Sequence, residues 1–529
     1  MFSIAILIGV YSYLIFSLGL LGLLNQKLIF IFTTFFIFSA LLFSRRKFLR
    51  FKFNLVKIPK IFLIILVVQA LVNLAGALGP ELGFDALWYH LTLPKLFLSL
   101  HKIVHIPGDL LYYSDMPKLA EMLYASSISI YSEIIAKLIH FSFGILTLVA
   151  IYKLARKFLD ERFSILAVVI FYSNLVVGWQ STTAYIDLAR TFFEVMAFWG
   201  FMNWMEIKTN TSAKRGWFIE SAVMLGLAIA TKLLSIGSLF IFLLLIIISY
   251  RKLDKTVIYN VFLYLCISLY VVMPWFLFSF LNTGNPIYPI FSDFVKGHFE
   301  LGILNPVLIL KSFWILFTKS SDPITPIYLI FLPLIFLFFN KLNSQMRSIV
   351  IYFFLSLVIW YFFPAKDSRY MLPALASLSV VIAYFIKNIH DKVIRDLALV
   401  IIIFVGFSSI LYRGVANVRY LPVVFGSETK EHFLTNNLNF NYGDFYDTDG
   451  YFKKHINSSD KVLLYGFHNL YYVIFPFVDS SYVKKGDEFN YIAVQAGVLP
   501  DRFKFWKLIY SNPKTHVKLY SFGGQKWIY

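Results

Sequence analysis

Residues 61–91 read IFLIILVVQALVNLAGALGPELGFDALWYHL, and this stretch decides the class of fold. Residues 61–79 contain no charged side chain, and about 20 such residues in a helix cross the hydrocarbon of a bilayer. Gly79-Pro80 then ends the apolar run, so Asp85 follows within two helical turns of the lipid boundary. The stretch therefore predicts a membrane-spanning helix that delivers a carboxylate to the membrane surface.

The composition of the whole chain agrees with a membrane protein. Of its 529 residues, 59% are hydrophobic and 15% are charged, whereas roughly 25% charged residues are usual in soluble domains. This composition excludes a cytosolic enzyme, a disordered chain and a secreted disulfide scaffold, and a single cysteine, Cys266, excludes an intrachain disulfide. The net charge of +19 comes mainly from basic residues between apolar runs, which is typical of cytoplasmic loops and gives no indication of nucleic-acid binding.

The apolar runs predict about thirteen transmembrane helices. Basic clusters follow even-numbered spans, and the positive-inside rule assigns them, with the N-terminus, to the cytoplasm. These clusters are Arg45 to Lys52, Lys153 to Lys157, Lys214 and Arg215, Arg251 and Lys252, Lys341 and Arg347, and Lys392 and Arg395. The parity predicts a cytoplasmic (inner) membrane protein with residues 80–133, 282–324 and 413–529 outside.

The chain divides into a transmembrane domain, 1–412, and a C-terminal domain, 413–529, in which long apolar runs disappear. Residues 461–466, 491–494 and 517–520 have the pattern of short strands. A helix is predicted from His468, and Gly523-Gly524 with residues 527–529 predicts a closing hairpin. The fold class is a polytopic α-helical membrane protein with a small extracytoplasmic α/β domain.

Polar residues at the external ends of the spans are the candidate functional residues, because placing ionisable groups in a membrane costs free energy. Asp85, Trp88 and Tyr89 share a helical face by their spacing and could hold a sugar and accept a proton. The alternative is that Asp85 caps a helix while the aromatic residues form an interfacial belt.

Further basic and acidic residues follow on the same side of the membrane. Asp187, Arg190 and Glu194 enter an apolar span on one stripe, either as a structural Asp187–Arg190 ion pair or as part of a site. Lys232, between two short apolar halves, either snorkels to the interface or binds an anion. Arg369 starts a helix, where the dipole repels cations, which indicates an anionic partner, either Asp367 or a phosphate.

Several of these segments, taken in order, resemble the GT-C superfamily of integral-membrane glycosyltransferases. The resemblance is to the bacterial family-39-like group, which is related to protein O-mannosyltransferases and lipid A aminoarabinose transferases, and it covers residues 58–412. Two spans precede the first external loop instead of one, and Phe84-Asp85 stands where many relatives have two adjacent carboxylates. The matching pieces are Phe84-Asp-Ala-Leu-Trp-Tyr-His-Leu91, Tyr185-Ile-Asp-Leu-Ala-Arg190, Ala230-Thr-Lys232, Thr283-Gly-Asn-Pro-Ile-Tyr-Pro289 and Arg369-Tyr-Met-Leu-Pro373.

The resemblance implies transfer of a sugar from a polyprenyl-phosphate carrier to a lipid, glycan or protein acceptor at the external face. It makes Asp85 the general base and Asp187 a second acidic residue that positions the acceptor or a divalent cation; no cofactor is certain. The phosphate-binding candidates are Arg369, Lys232 and Arg190, with Lys95 and Lys118 in reserve, and the substrate-positioning candidates are Trp88, Tyr89, His90 and Asn285.

Two other functions compete with transfer from a lipid phosphate. A transporter or flippase for lipid-linked saccharides would scatter charges through the membrane and often contain an inverted repeat. A glycan ligase or polymerase would use a pyrophosphate-linked donor and paired arginines. The candidate charges of this chain instead lie on one face.

Overall fold

The computed structural model describes residues 1–44, 58–207, 209, 211–250, 252–292, 304–320, 323–362, 366–523 and 525–529. The basic cluster predicted at residues 45–52 and the predicted Arg251 lie outside these residues. The first twelve α-helices are α1 Phe2–Leu20, α2 Gln26–Ser44, α3 Lys60–Ala77, α4 Thr92–Ser99, α5 Leu119–Ile130, α6 Glu133–Ala155, α7 Glu161–Tyr172, α8 Leu175–Gln180, α9 Asp187–Glu206, α10 Ser212–Thr231, α11 Ser235–Ser249 and α12 Lys255–Thr283.

The second half of the chain continues with α13 Pro306–Thr318, α14 Pro326–Leu337, α15 Ser344–Phe362, α16 Leu372–Lys387, α17 Lys392–Asn417, α18 Leu421–Val424, α19 Lys430–Asn437 and α20 Tyr451–His455. Polar side chains begin several of these helices by accepting a backbone N–H, as N-caps do. Asp160 accepts from Phe163, Thr211 from Lys214 and Asp391 from Ile394.

Helices that are long and apolar enough to cross a membrane confirm a multi-pass membrane protein. Among the described residues there are seven, with five shorter apolar helices besides. The predicted number of about thirteen spans stays a prediction. The seven are Phe2–Leu20, Lys60–Ala77, Glu133–Ala155, Lys255–Thr283, Ser344–Phe362, Ser368–Lys387 and Lys392–Val424.

The C-terminal domain contains a five-stranded mixed sheet in the order β2-β1-β4-β6-β5. Strand β1 runs parallel to β2 and β4, and β6 runs antiparallel to β4 and β5. The domain therefore has the predicted α/β character. The strands are β1 Val462–Tyr465, β2 Phe477–Asp479, β3 Glu488–Phe489, β4 Tyr491–Gln495, β5 Lys507–Asn512, β6 Val517–Ser521 and β7 Trp527–Ile528.

Successive residues of a strand point to opposite faces, and the two faces of this sheet belong to different cores. Val462 and Leu464 join the large core that continues into the transmembrane helices. Leu463 packs in a second, smaller core with Phe489 and Trp506. One face of the sheet is thus fixed onto the membrane part of the protein.

Two predictions for this domain are wrong. No helix begins at His468. The backbone carbonyls of Tyr471 and Val473 instead accept hydrogen bonds from the Lys95 ammonium, so they do not take part in helical hydrogen bonding. Residues 527–529 do not close a hairpin, because β7 pairs with the distant β3.

Candidate active site

Asp85 lies at the start of a π-helical turn, Ala86–His90, just after the segment that follows α3. Its side chain makes no capping hydrogen bond, so the helix-cap interpretation is wrong. Its backbone N–H instead donates to the Tyr185 hydroxyl at 3.0 Å, which joins the loop that follows α3 to the turn that precedes α9. The carboxylate is left free for other partners.

The Asp85 carboxylate contacts Arg369, which comes from the other half of the chain. Its Oδ2 lies 2.8 Å from Arg369 Nη1 and accepts a hydrogen bond from the Tyr89 hydroxyl at 3.1 Å. Both side chains of the ion pair are nearly buried, with exposed fractions of 12% and 11%. The arginine therefore has an anionic partner that was not foreseen, in addition to the predicted Asp367.

Arg369 contacts more than one acidic and aromatic group. Its Nε lies 3.0 Å from Asp367 Oδ2, yet this buried atom has no well-directed hydrogen bond among the described residues. The guanidinium carbon lies 5.0 Å from the centre of the Tyr185 ring, within cation–π range. Arg369 is therefore held by the carboxylates of Asp85 and Asp367 and by the Tyr185 ring.

A second ion pair lies beside the first. Lys232 Nζ contacts Asp187 Oδ1 at 2.6 Å and lies over the Tyr370 ring, 4.5 Å from its centre. Lys232 therefore does not snorkel to the interface. Asp187 is buried, and its second oxygen, Oδ2, accepts no hydrogen bond from the described residues. That oxygen is a candidate acceptor for a substrate hydroxyl.

The predicted Asp187–Arg190 ion pair is wrong. Arg190 Nε instead contacts Glu194 Oε1, one turn further along α9, at 2.6 Å. Its Nη1 donates to the backbone carbonyl of Tyr370 at 3.2 Å, next to Arg369. Arg190 thus contacts the segment that carries Arg369. It lies at the edge of the site rather than between Asp85 and Asp187.

The residues of the site do not form a protein-only metal centre. Across the described ranges, no group of three or more His, Cys, Asp or Glu side chains comes together in a way that could hold an ion. The positive charges of Lys232 and Arg369 beside Asp187 also oppose a bound cation. The site residues therefore do not fit the divalent cation that the sequence left open.

Four of the predicted site residues have structural partners elsewhere. Lys95 donates to backbone carbonyls of the C-terminal domain, and Lys118 donates to the carbonyl of Met116 at 2.9 Å. Burial lowers the pKa of Lys95 and of Lys118 to about 8. His90 is buried with its Nδ1 2.8 Å from Glu121, and Asn285 accepts from the Ile287 N–H and donates to the Ile290 carbonyl within its own turn.

Trp88 and Tyr89 contact protein rather than a lipid belt. Tyr89 stacks on Tyr113, with the ring centres 3.6 Å apart, and Trp88 packs against His468 of the C-terminal domain at 4.4 Å. The Trp88 indole N–H donates to the carbonyl of Leu110 at 2.8 Å. The aromatic side chains therefore form a wall next to Asp85, closed by the C-terminal domain.

Three residues that border this site were not assigned a role from the sequence. Glu81 is buried and accepts hydrogen bonds from the N–H groups of Gly83 and Ala184, so it fixes the two external segments together. Its position directly after Gly79-Pro80 could have identified it as a candidate from the sequence. Tyr185 lay inside a quoted motif, but His468 comes from far along the chain, and no sequence signal connects it with Asp85.

A narrow cleft with a volume of about 20 Å³ lies beside the two ion pairs. Arg190 and Tyr370 form its polar end, and most of the remaining lining is apolar or aromatic. A cleft of this volume has room for about one water molecule. The lining residues are Arg190, Leu234, Ser238, Ile241, Ser356, Ile359, Trp360 and Tyr370.

Residues 116–285, less than half of the chain, match the family described as dolichyl-phosphate-mannose-protein mannosyltransferase. A comparison with curated proteins gives no match.

Solved structures with the same fold include ArnT from Cupriavidus metallidurans in the apo state, with 11% sequence identity and a TM-score of 0.55 over 87% of this chain and 97% of that chain. ArnT bound to undecaprenyl phosphate gives 14% identity and the same TM-score and coverage. The Archaeoglobus fulgidus oligosaccharyltransferase in complex with Zn and sulfate gives 13% identity and a TM-score of 0.50 over 86% of this chain and 73% of that chain. The chain thus has the fold of the GT-C superfamily, as the sequence predicted.

Proposed function

We propose that this protein is a membrane glycosyltransferase that moves a sugar from a polyprenyl-phosphate carrier to an acceptor at the external face of the membrane. The observation that carries the proposal is the contact between Asp85 and Arg369, 2.8 Å apart, with the Asp187–Lys232 pair beside it. A carboxylate and a guanidinium held together at the end of a membrane helix are the two groups that the reaction requires.

The geometry supports a division of roles. As the sugar leaves its phosphate, its anomeric carbon passes through an oxocarbenium-like state and the phosphate gains charge. Arg369 and Lys232 stabilise that charge through charge-assisted hydrogen bonds. The acceptor hydroxyl attacks the anomeric carbon, and Asp85 takes its proton as general base. The free Oδ2 of Asp187 accepts a hydrogen bond from a substrate hydroxyl.

The carrier lipid is supported by the apolar side chains that lie beside Arg190 and Tyr370. They belong mainly to α11 and α15, and an isoprenoid chain laid against them would leave its phosphate near the basic residues. One solved structure of the same fold is that of ArnT bound to undecaprenyl phosphate. We infer a polyprenyl-phosphate sugar as the donor on these grounds.

The test is transfer by the purified full-length protein in lipid nanodiscs, with radiolabelled polyprenyl-phosphate hexoses and pentoses as donors and the envelope of a gene-deletion strain as acceptor. The wild type should label the envelope with one of these donors. Asp85→Asn keeps the shape of the side chain and removes its charge, so transfer should fall by about 10²–10⁴-fold with the protein level unchanged.

Asp391→Asn is the matched control. Asp391 caps α17 through the N–H of Ile394, and Asn caps a helix about as well as Asp, so this variant should keep full transfer. Near-normal transfer by a well-folded Asp85→Asn variant would remove Asp85 from the mechanism. Failure of the wild type with every donor would contradict the proposed activity itself.

A further inference from the structure

A second cleft, of about 320 Å³, lies between the first external loop and the C-terminal domain. The loop contributes an aromatic and an acidic side chain, and the domain contributes the turns that follow β1 and β2. The lining residues are Trp88, Asp109, Leu110, Gly466, Phe467, His468, Asp479, Ser480 and Ser481.

The two walls of this cleft are held at a fixed distance. Gly108 has a φ of +89°, and a Cβ placed there would lie 2.1 Å from the carbonyl oxygen of Ser481. The backbone of the loop therefore contacts the backbone of the domain directly at the rim. On the same side, the Trp88 indole donates to Leu110. The cleft is thus bounded by a loop and a domain that contact each other directly.

The cleft borders the aromatic wall that lies next to Asp85. His468 stacks on Phe84, with 4.7 Å between the ring centres, and packs against Trp88 at 4.4 Å. These two aromatic residues flank Asp85 in the sequence, and the charge of Asp85 is close enough to act on the pKa of His468. A molecule bound in the cleft would therefore extend one end toward the carboxylate.

The lining has the chemistry of a site for uncharged, hydroxyl-rich molecules. The Trp88 ring offers a flat apolar surface, the carboxylates of Asp109 and Asp479 accept hydrogen bonds, and Ser480 and Ser481 can donate or accept them. The described residues that line it include no lysine or arginine. Two carboxylates without a basic neighbour would repel a phosphate or carboxylate group.

We infer that this cleft binds the acceptor, and that the acceptor is a neutral saccharide whose hydroxyl receives the transferred sugar. The inference rests on the proposed glycosyltransferase function and adds to it the chemical class of the acceptor. It excludes anionic glycolipids as acceptors. Transfer to a protein is one of the outcomes that the experiment below distinguishes.

The first experiment supplies the envelope of the gene-deletion strain in three separate fractions: neutral glycan, acidic glycolipid and protein. The full-length protein in nanodiscs, with the donor that proves active, should label the neutral glycan. Label that enters the acidic glycolipid or the protein fraction instead would overturn the inference while leaving the glycosyltransferase function intact. Absence of label in every fraction would count against the proposed function.

The second experiment measures the acceptor KM with the labelled glycan fraction. Asp109→Asn and Asp479→Asn should each raise it about tenfold, since each removes a charged hydrogen-bond acceptor, while the donor KM stays unchanged. Asp501→Asn is the control, because Asp501 is exposed and pairs with Lys504 at 2.8 Å away from the lining. Unchanged acceptor KM values in both cleft variants would overturn the inference.

A pH profile tests whether the acceptor KM depends on the Asp479 carboxylate, which also accepts the Ser481 N–H in its own turn. Burial raises the pKa of Asp479 to about 6, so its carboxylate is lost as the pH falls from 7 to 5, and the acceptor KM should rise about tenfold over this range. The groups near it are Asp109 and His468 across the cleft and Tyr482 on its own turn. Asp479→Asn should flatten this profile; a profile unchanged by the substitution would contradict the role.

Discussion

Arg369 is the residue on which three acidic groups, Asp85, Asp367 and Asp187, converge. Its Nη1 contacts Asp85 at 2.8 Å, Asp367 lies at its Nε, and the charge of Asp187 acts on it as well. Replacing buried ion pairs by apolar residues is often neutral or stabilising, so stability gives no reason to keep this cluster in an apolar chain. A role in binding a charged substrate does give one.

Arg369→Ala should raise the donor KM by about 100-fold or more, because it removes a charged phosphate partner in a partly buried site. Arg369→Lys keeps the charge but loses the planar fork that spans two partners, so it should recover only part of the activity. The measurement is a titration of polyprenyl-phosphate sugar at saturating acceptor.

Arg162→Lys is the control for these variants. Arg162 also lies over an aromatic ring, that of Phe163, but it is exposed and belongs to α7, so its replacement should leave the donor KM unchanged. A donor KM that stays at the wild-type value in a folded Arg369→Ala variant would refute the phosphate-binding role.

At the scale of elements, the first external loop is positioned by contacts at both ends. Near α3, both oxygens of Glu81 accept hydrogen bonds, one from Gly83 and one from Ala184. At the far side, Gly108 contacts the domain backbone. The loop therefore aligns Asp85 and Trp88 with the helices and with the C-terminal domain at the same time.

Gly108→Ala should separate the loop from the domain. A side chain at positive φ costs about 1–2 kcal/mol, and the Cβ would clash with the Ser481 carbonyl, 2.1 Å away. We expect a higher acceptor KM with an unchanged donor KM, and a lower unfolding temperature of the domain, measured by transfer kinetics and thermal unfolding.

Gly450→Ala is matched to this variant. Gly450 has a φ of +72°, and nothing lies within 4 Å of a Cβ placed there, so it has the same type of backbone strain without the clash. It should lower the unfolding temperature but keep the acceptor KM. Equal kinetics for the two variants would show that the loop–domain contact has no part in acceptor binding.

At the scale of the whole molecule, the sheet of the C-terminal domain is fixed onto the membrane helices through the large core. The proposed site lies where the domain meets the first external loop, so domain and site face the same side of the membrane. The distribution of basic residues along the chain predicts that this is the external side.

A reporter that is active only in the cytoplasm, fused after Tyr529, should therefore be silent, whereas one that is active only outside should give a signal. The control is the same pair of reporters inserted after Lys341, in a segment predicted to be cytoplasmic, where the responses should be reversed. An active cytoplasmic reporter at Tyr529 would mean that the predicted number of spans is wrong by an odd number. It would also contradict the proposal that the site lies at the external face.

The sequence by itself determined the class of this protein, because long apolar runs and a shortage of charge leave a multi-pass membrane protein as the physical solution. It also predicted strands β1, β4 and β6, whose apolar residues are local signals. It selected Asp85, Asp187, Lys232 and Arg369, because ionisable residues stand out in such a chain. Each of these depends on a pattern within a short window of sequence.

Tertiary structure alone decided which of these residues meet. Spacing along α9 allowed Arg190 to pair with Asp187 or with Glu194. Glu194 is its partner, while Lys232 reaches Asp187 from the turn after α10. The backbone carbonyls of Tyr471 and Val473 bind Lys95, where local pattern predicted a helix. The contact of His468 with Trp88 joins residues from opposite parts of the chain. Such contacts depend on how distant elements pack, and hydropathy and local spacing contain no information about that packing.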